Sequence, residues 1–108
     1  MNPRVNNIVN IIDEKKGESI EVFDMRDKDY FVDFVVLTTT IGQRHGTSLV
    51  DTLKKELKIL GEDILNIEQS ENWSVLDLGD ILIHLLTPEY RATYNLEEFL
   101  SRRESEEH

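Results

Sequence analysis

Residues 72–86 read NWSVLDLGDILIHLL, two apolar runs joined by Leu78-Gly79-Asp80-Ile81. Glycine beside aspartate between apolar runs is hairpin chemistry, because a tight turn needs a residue that tolerates positive φ. A turn centred on Gly79-Asp80 sets Leu78 opposite Ile81, Asp77 opposite Leu82 and Val75 opposite His84. Strand alternation then puts Trp73, Val75, Asp77, Leu82, His84 and Leu86 on one face. Asp77 and His84 become diagonal neighbours, within reach of each other's side chains. Two readings are open for Asp77, Asp80 and His84: a catalytic or metal site, or the polar fittings of an interaction surface.

Upstream, Asn2 is placed to cap a first helix with Pro3 at its first position. Val5, Ile8, Val9 and Ile12 recur at helical spacing, Lys15 and Lys16 suit the carboxyl end, and Gly17 is a natural stop. SIEVFDM (19–25) alternates as a short strand, and RDKD (26–29) is a charged turn. YFVDFVVLTTT (30–40) is β-branched and aromatic, the composition of a buried central strand in which Asp33 needs a partner. Leu49, Val50, Leu53, Leu57 and Leu60 form one face of a long helix ended by Gly61. DILNIEQS (63–70) is a further strand, so strand, helix and strand make a βαβ-like unit.

Beyond the hairpin, Pro88 and Glu89 start a turn or short helix. YNLEEFLSRRE (94–104) is a last helix, and the charged residues from about 102 to 108 are expected to fray. The order α-β-β-α-β-β-β-α describes one α/β domain spanning 1–108, with a mixed sheet of about five strands flanked by helices.

Twelve Lys+Arg against twenty-two Asp+Glu leave a formal charge of −10. Such a surface repels phosphate backbones, which speaks against nucleic-acid binding by counterion release, and it steers basic partners inward. The chain has no cysteine, which excludes disulfides, thiolate metal sites and cysteine nucleophiles and fits a reducing compartment. MNPRVNNIVNIIDEKKG (1–17) has neither the apolar stretch of a signal peptide nor an Arg-rich, acid-poor import leader. No stretch approaches the roughly 18 apolar residues of a membrane span. A cytoplasmic protein is the expectation.

An Asp77–His84 pair suits acid–base or metal chemistry, with the carboxylate orienting the imidazole. Its usual companions are missing: no nucleophile motif, HExxH, P-loop or dinucleotide glycine pattern occurs. Asp77, Asp80 and His84 are also too generic a set to specify a metal. The plainer reading makes Asp77 a hydrogen-bond acceptor at a partly buried position and His84 its structural mate. Between the two, Trp73, Asp77 and His84 make a half-apolar face suited to recognising a partner. QRHG (43–46) lies where a strand meets a helix, so Arg44 and free N–H groups could hold an anion or simply cap the helix. Arg91 is a recognition residue or half of a surface ion pair, and Tyr94 an interface anchor or core packing.

DFVVLTTTIGQRH (33–45), W-x-V-L-D-L-G-D-I-L-I-H (73–84) and R-x-x-Y-x-L-E-E-F (91–99) occur together. In this combination the chain, from about Asp33 to Leu100, resembles the ribosomal silencing factor family, also called the Iojap family. The resemblance implies a small fold like that of the nucleotidyltransferase superfamily, without enzymatic activity or cofactor. It implies binding to the fourteenth protein of the large ribosomal subunit, on the face that meets the small subunit. Subunit joining is thereby hindered and translation damped when nutrients are short. It further implies a homodimer in the bacterial cytoplasm.

Carried over residue by residue, the partner-binding candidates are Trp73, Asp77, His84, Arg91 and Tyr94, Trp, Tyr and Arg being the commonest interface hot spots. Asp33, Arg44, His45, Gly79, Asp80, Leu96 and Glu97 match the rest of the pattern, as structural or secondary interface positions. The chain departs from the family in a short loop, IEQSENW (67–73), in Phe99-Leu100 where leucine–tryptophan is usual, and in Thr38, Thr39 and Thr40 after the second strand. Two alternatives stand beside this reading. A nucleotidyltransferase-like enzyme would use Asp77 or Asp80 with a divalent ion, but that superfamily's Gly-Ser and paired acids are absent. A generic dimeric adaptor is the other.

Overall fold

A computed structural model gives the structure of residues 2–105. The Asn2 side chain caps helix α1 (Pro3–Glu14), its Oδ1 accepting from the N–H groups of Arg4 (2.8 Å) and Val5 (3.4 Å). Val5, Ile8 and Ile12 form the buried stripe of α1. The helix ends in an unexpected way. Lys16, not Gly17, takes the left-handed conformation (φ 67°). Gly17 is needed for close approach instead: a Cβ there would sit 2.3 Å from Ile12 Cγ2 and 2.9 Å from Thr38 Oγ1.

The remaining elements are β1 (Glu18–Asp24), β2 (Phe34–Thr39), α2 (Gln43–Ile59), β3 (Asn66–Glu68), β4 (Trp73–Asp77), β5 (Ile81–Leu86), α3 (Pro88–Tyr94) and α4 (Leu96–Ser105). Among the described residues the strands form one mixed sheet in the order β1-β2-β5-β4-β3, with β2 and β5 parallel and the other pairs antiparallel. The β4–β5 hairpin has the expected register, Asp77 opposite Leu82 and Val75 opposite His84, and Leu78 donates to the Ile81 carbonyl at 2.9 Å.

The middle strand is β5, not β2, and the two strands of the βαβ unit are not neighbours. Both run the same way, but β5 and β4 lie between them. The reason is composition. FVVLTT and ILIHLL are both apolar enough to be interior strands, whereas the three-residue NIE of β3 is polar and short, as an edge strand should be. Asp33 is not inside β2. The strand starts at Phe34, and Asp33 precedes it with its side chain exposed.

Each face of the sheet has its own core. Phe34, Val36, Leu76, Ile81, Ile83 and Leu85 pack against α1 and against Leu49, Val50, Leu53 and Leu57 of α2. On the opposite face Phe23, Val35, Leu37 and Leu82 pack with Leu96 and Leu100 of α4. Leu100 is buried in this second core, and Phe99 stays half exposed.

The C-terminal region holds two helices rather than one. Asn95 adopts the left-handed conformation (φ 45°, ψ 51°) that closes α3, and α4 begins at Leu96. Tyr94 therefore ends α3 instead of starting the last helix. The chain is helical to Ser105, and the part of the expected frayed end at 106–108 lies outside the described residues. Among the described residues no helix is long and apolar enough to cross a membrane.

Candidate functional site

Helix α4 covers the β1–β2 side of its face and leaves the β5–β4 side to the short helix α3. Trp73, Val75 and Asp77 of β4 and His84 of β5 alternate onto this part of the sheet, all half-buried. The Trp73 indole donates through Nε1–H to His84 Nδ1 at 3.1 Å, the two ring centroids lying 5.9 Å apart. A neutral imidazole accepting at Nδ1 carries its proton on Nε2. Burial favours that neutral form and pushes the His84 pKa down to about 4.

Helix α3 extends the surface with two tyrosines. Tyr94 lies 5.1 Å from Trp73 and Tyr90 lies 5.4 Å from Tyr94, so Tyr90, Tyr94, Trp73 and His84 form one continuous aromatic line. Tyr94 is 51% exposed. A cleft of about 390 Å³ beside the line is lined by Glu68, Gln69, Ser70, Trp73, Val75 and Tyr90. Glu68 is exposed in this cleft, and a second cleft at Tyr94 is lined by Glu98, Arg102 and Arg103, so charges of both signs flank the aromatic line. The short loop before Trp73 is tied down: Ser70 Oγ donates to the Trp73 carbonyl (2.6 Å), and Thr87 N–H to the Asn72 carbonyl (3.0 Å).

Asp77, Asp80 and His84 do not converge. Asp77 Oδ1 accepts from the Gly79 N–H at 2.7 Å and so braces the turn, where Gly79 holds φ 92°. Asp80 receives two hydrogen bonds from Arg4 (2.6 and 3.0 Å), which hold its carboxyl below the usual range despite partial burial. His84 pairs with Trp73, not with Asp77. Among the described residues no group of three or more His, Cys, Asp or Glu side chains is placed to hold a metal ion.

The other matched positions are structural in their contacts. Asp33 N–H donates to the Asp80 carbonyl (2.8 Å), tying the start of β2 to the hairpin turn. His45 accepts at Nδ1 from the Ile41 N–H (3.0 Å), and its Nε2 lies 2.8 Å from the Lys15 carbonyl, which links α2 to the end of α1. Arg44, next to it, is exposed. Leu96 packs into the second core, and Glu97 accepts from Arg91 Nε at 2.8 Å. Arg91 itself is only 9% exposed. It pairs with two carboxylates, Glu21 and Glu97, rather than with one.

Two residues escaped the sequence reading. Tyr90 stands four residues before Tyr94, a helical pairing visible only once residues 88–94 are read as a helix. Arg4 bridges Asp80 and Glu62, donating to Glu62 at 2.7 and 2.8 Å, and nothing in the sequence joins positions so far apart.

Comparison with known proteins decides the family. The family model described as ribosomal silencing factor during starvation matches residues 1–108. The chain belongs to the ribosomal silencing factor family. A ribosomal silencing factor of Halalkalibacterium halodurans is 31% identical over 91 residues, covering 82% of this chain and 78% of the relative. The chloroplastic Iojap protein of Zea mays is 30% identical over 91 residues, covering 80% of this chain and 38% of its own. A mouse relative, 28% identical over 101 residues (89% of this chain, 44% of its own), is named mitochondrial assembly of ribosomal large subunit protein 1. The crystal structure of a protein from Bacillus halodurans aligns with a TM-score of 0.78 at 28% identity, over 88% of this chain and 90% of that one. That of protein CV0518 from Chromobacterium violaceum has the same fold, with a TM-score of 0.85 at 23% identity over 91% and 83%.

Proposed function

We propose that this silencing factor binds the large ribosomal subunit through its fourteenth protein, on the face that meets the small subunit. Bound there, it hinders subunit joining and represses translation under nutrient limitation. The observation that carries the reading is the aromatic line from Tyr90 to His84, with a cleft beside it that holds the exposed Glu68. Tryptophan and tyrosine supply large contact areas with few rotors to immobilise, and the chain's net charge of −10 favours a basic partner. The name of the mouse relative adds support for a large-subunit partner.

In this reading Trp73 and Tyr94 are the contacts, His84 aligns Trp73, and Asp77 and Asp80 shape the turn beside them. The free protein is a cytoplasmic homodimer. Light scattering from separated subunits tests the function. The protein, added to large subunits first, should slow and reduce the rise that marks joining, and Trp73→Ala should restore most of it. An unchanged rise with saturating wild-type protein would reject the proposal.

A further inference from the structure

Helix α3 carries both tyrosines of the aromatic line, yet seven residues are too few to hold a helix by themselves. Arg91 is its buried residue, and the other six are exposed or half-buried. A helix of this kind is normally anchored by leucine or isoleucine. Here a guanidinium takes that place.

We propose that Arg91 is the positioning residue of the aromatic surface: it fastens α3 to β1, β2 and α4 and so sets where Tyr90 and Tyr94 stand against Trp73. Its Nε donates to Glu97 of α4 (2.8 Å) and its Nη2 to Glu21 of β1 (2.8 Å). Nη1 donates to Thr39 Oγ1 of β2 (3.0 Å) and to the Ser19 carbonyl of β1. Four of the five guanidinium N–H groups are thereby used, in three directions. Two carboxylates balance a charge that burial would otherwise make costly.

The β1 strand is deformed to meet this cation. Between Glu18 and Glu21 the register with β2 shifts, and Ser19 adopts φ 48°, a left-handed conformation that non-glycine residues avoid. The residue held in this way offers its carbonyl to Arg91. Thr39, itself buried, supplies the hydroxyl. Lysine cannot replace the fork, because an ammonium is one point with three donors.

The binding consequence rests on the proposed function, but the positioning does not, because Trp73 is the only tryptophan and reports its own surroundings. The test compares wild type with Arg91→Lys and Glu97→Gln, and with Leu53→Ala as a core-weakened control. Each is followed by far-ultraviolet circular dichroism, Trp73 emission and co-sedimentation with large subunits, well below its unfolding temperature. Arg91→Lys should keep native dichroism, shift Trp73 emission to the red and weaken large-subunit binding about tenfold or more. Glu97→Gln should do the same to a smaller degree, and it carries the test if Arg91→Lys does not fold. Leu53→Ala should lose stability with emission and binding unchanged. Folded variants at Arg91 and Glu97 with wild-type emission would overturn the proposal. Lost binding with unchanged emission would overturn it too, making Arg91 a contact. If wild type fails to bind large subunits while the emission shifts appear, the proposed function falls and the positioning stands.

Discussion

At the residue scale, Trp73 and His84 depend on each other in a way that pH can read. The Trp73 indole needs an acceptor at His84 Nδ1, and only a neutral imidazole provides one. Folding lowers the His84 pKa from 6.5 to about 4. Between those values the unfolded chain binds more protons than the folded one, so stability falls as pH falls across that window. The loss should reach about 3 kcal/mol by pH 4, at about 1.4 kcal/mol per unit, and level off below it. Asp80 also loses stabilisation on acidification, but its window lies below the ordinary 3.8, because Arg4 holds it lower. Urea midpoints of wild type and His84→Gln from pH 7 to 4 check this: the wild-type curve should drop more steeply. Parallel curves would mean that His84 is not held neutral. Sequence alternation was enough to put Trp73, Asp77 and His84 on one face. It could not choose His84's partner, since Asp77 and Trp73 are its two diagonal neighbours across the hairpin and both are within reach.

Among the elements, what was legible followed from local chemistry. The hairpin register came from Gly79-Asp80 and alternation, and the stripe of α2 from leucine spacing. The parallel pairing of β2 with β5 has no local signal, because more than forty residues and three elements separate the strands. The split between α3 and α4 had one, an asparagine in a turn-compatible position at 95, but continuous helical residues on both sides masked it. Arg91 was illegible for a different reason: arginine is seldom buried, and its acidic partner on β1 lies 70 residues away. Gly17 gave a correct boundary for a reason other than helix termination. Gly17→Ala should therefore destabilise by about 1–3 kcal/mol, through overpacking against Ile12 and Thr38. Thermal unfolding measures this, and a melting temperature at or above wild type would show that α1 can move away from β2 at little cost.

For the molecule as a whole, the arrangement separates the two cores from the aromatic line. One face of the sheet is closed by α1 and α2, the other is closed by α4 over β1 and β2, and the aromatic line occupies what remains. The chain as a whole carries a net charge of −10. The charge was readable from composition and favours association with basic partners, but composition names none; the family is established, and the partner it implies belongs to the proposal. Co-sedimentation of wild type and Trp73→Ala with separated large and small subunits tests the central claim most directly. Wild type should pellet with large subunits and not with small ones, and Trp73→Ala, still folded by circular dichroism, should bind at least about tenfold more weakly. Wild type that stays off large subunits at low salt, or a folded Trp73→Ala that binds as tightly as wild type, would contradict the account.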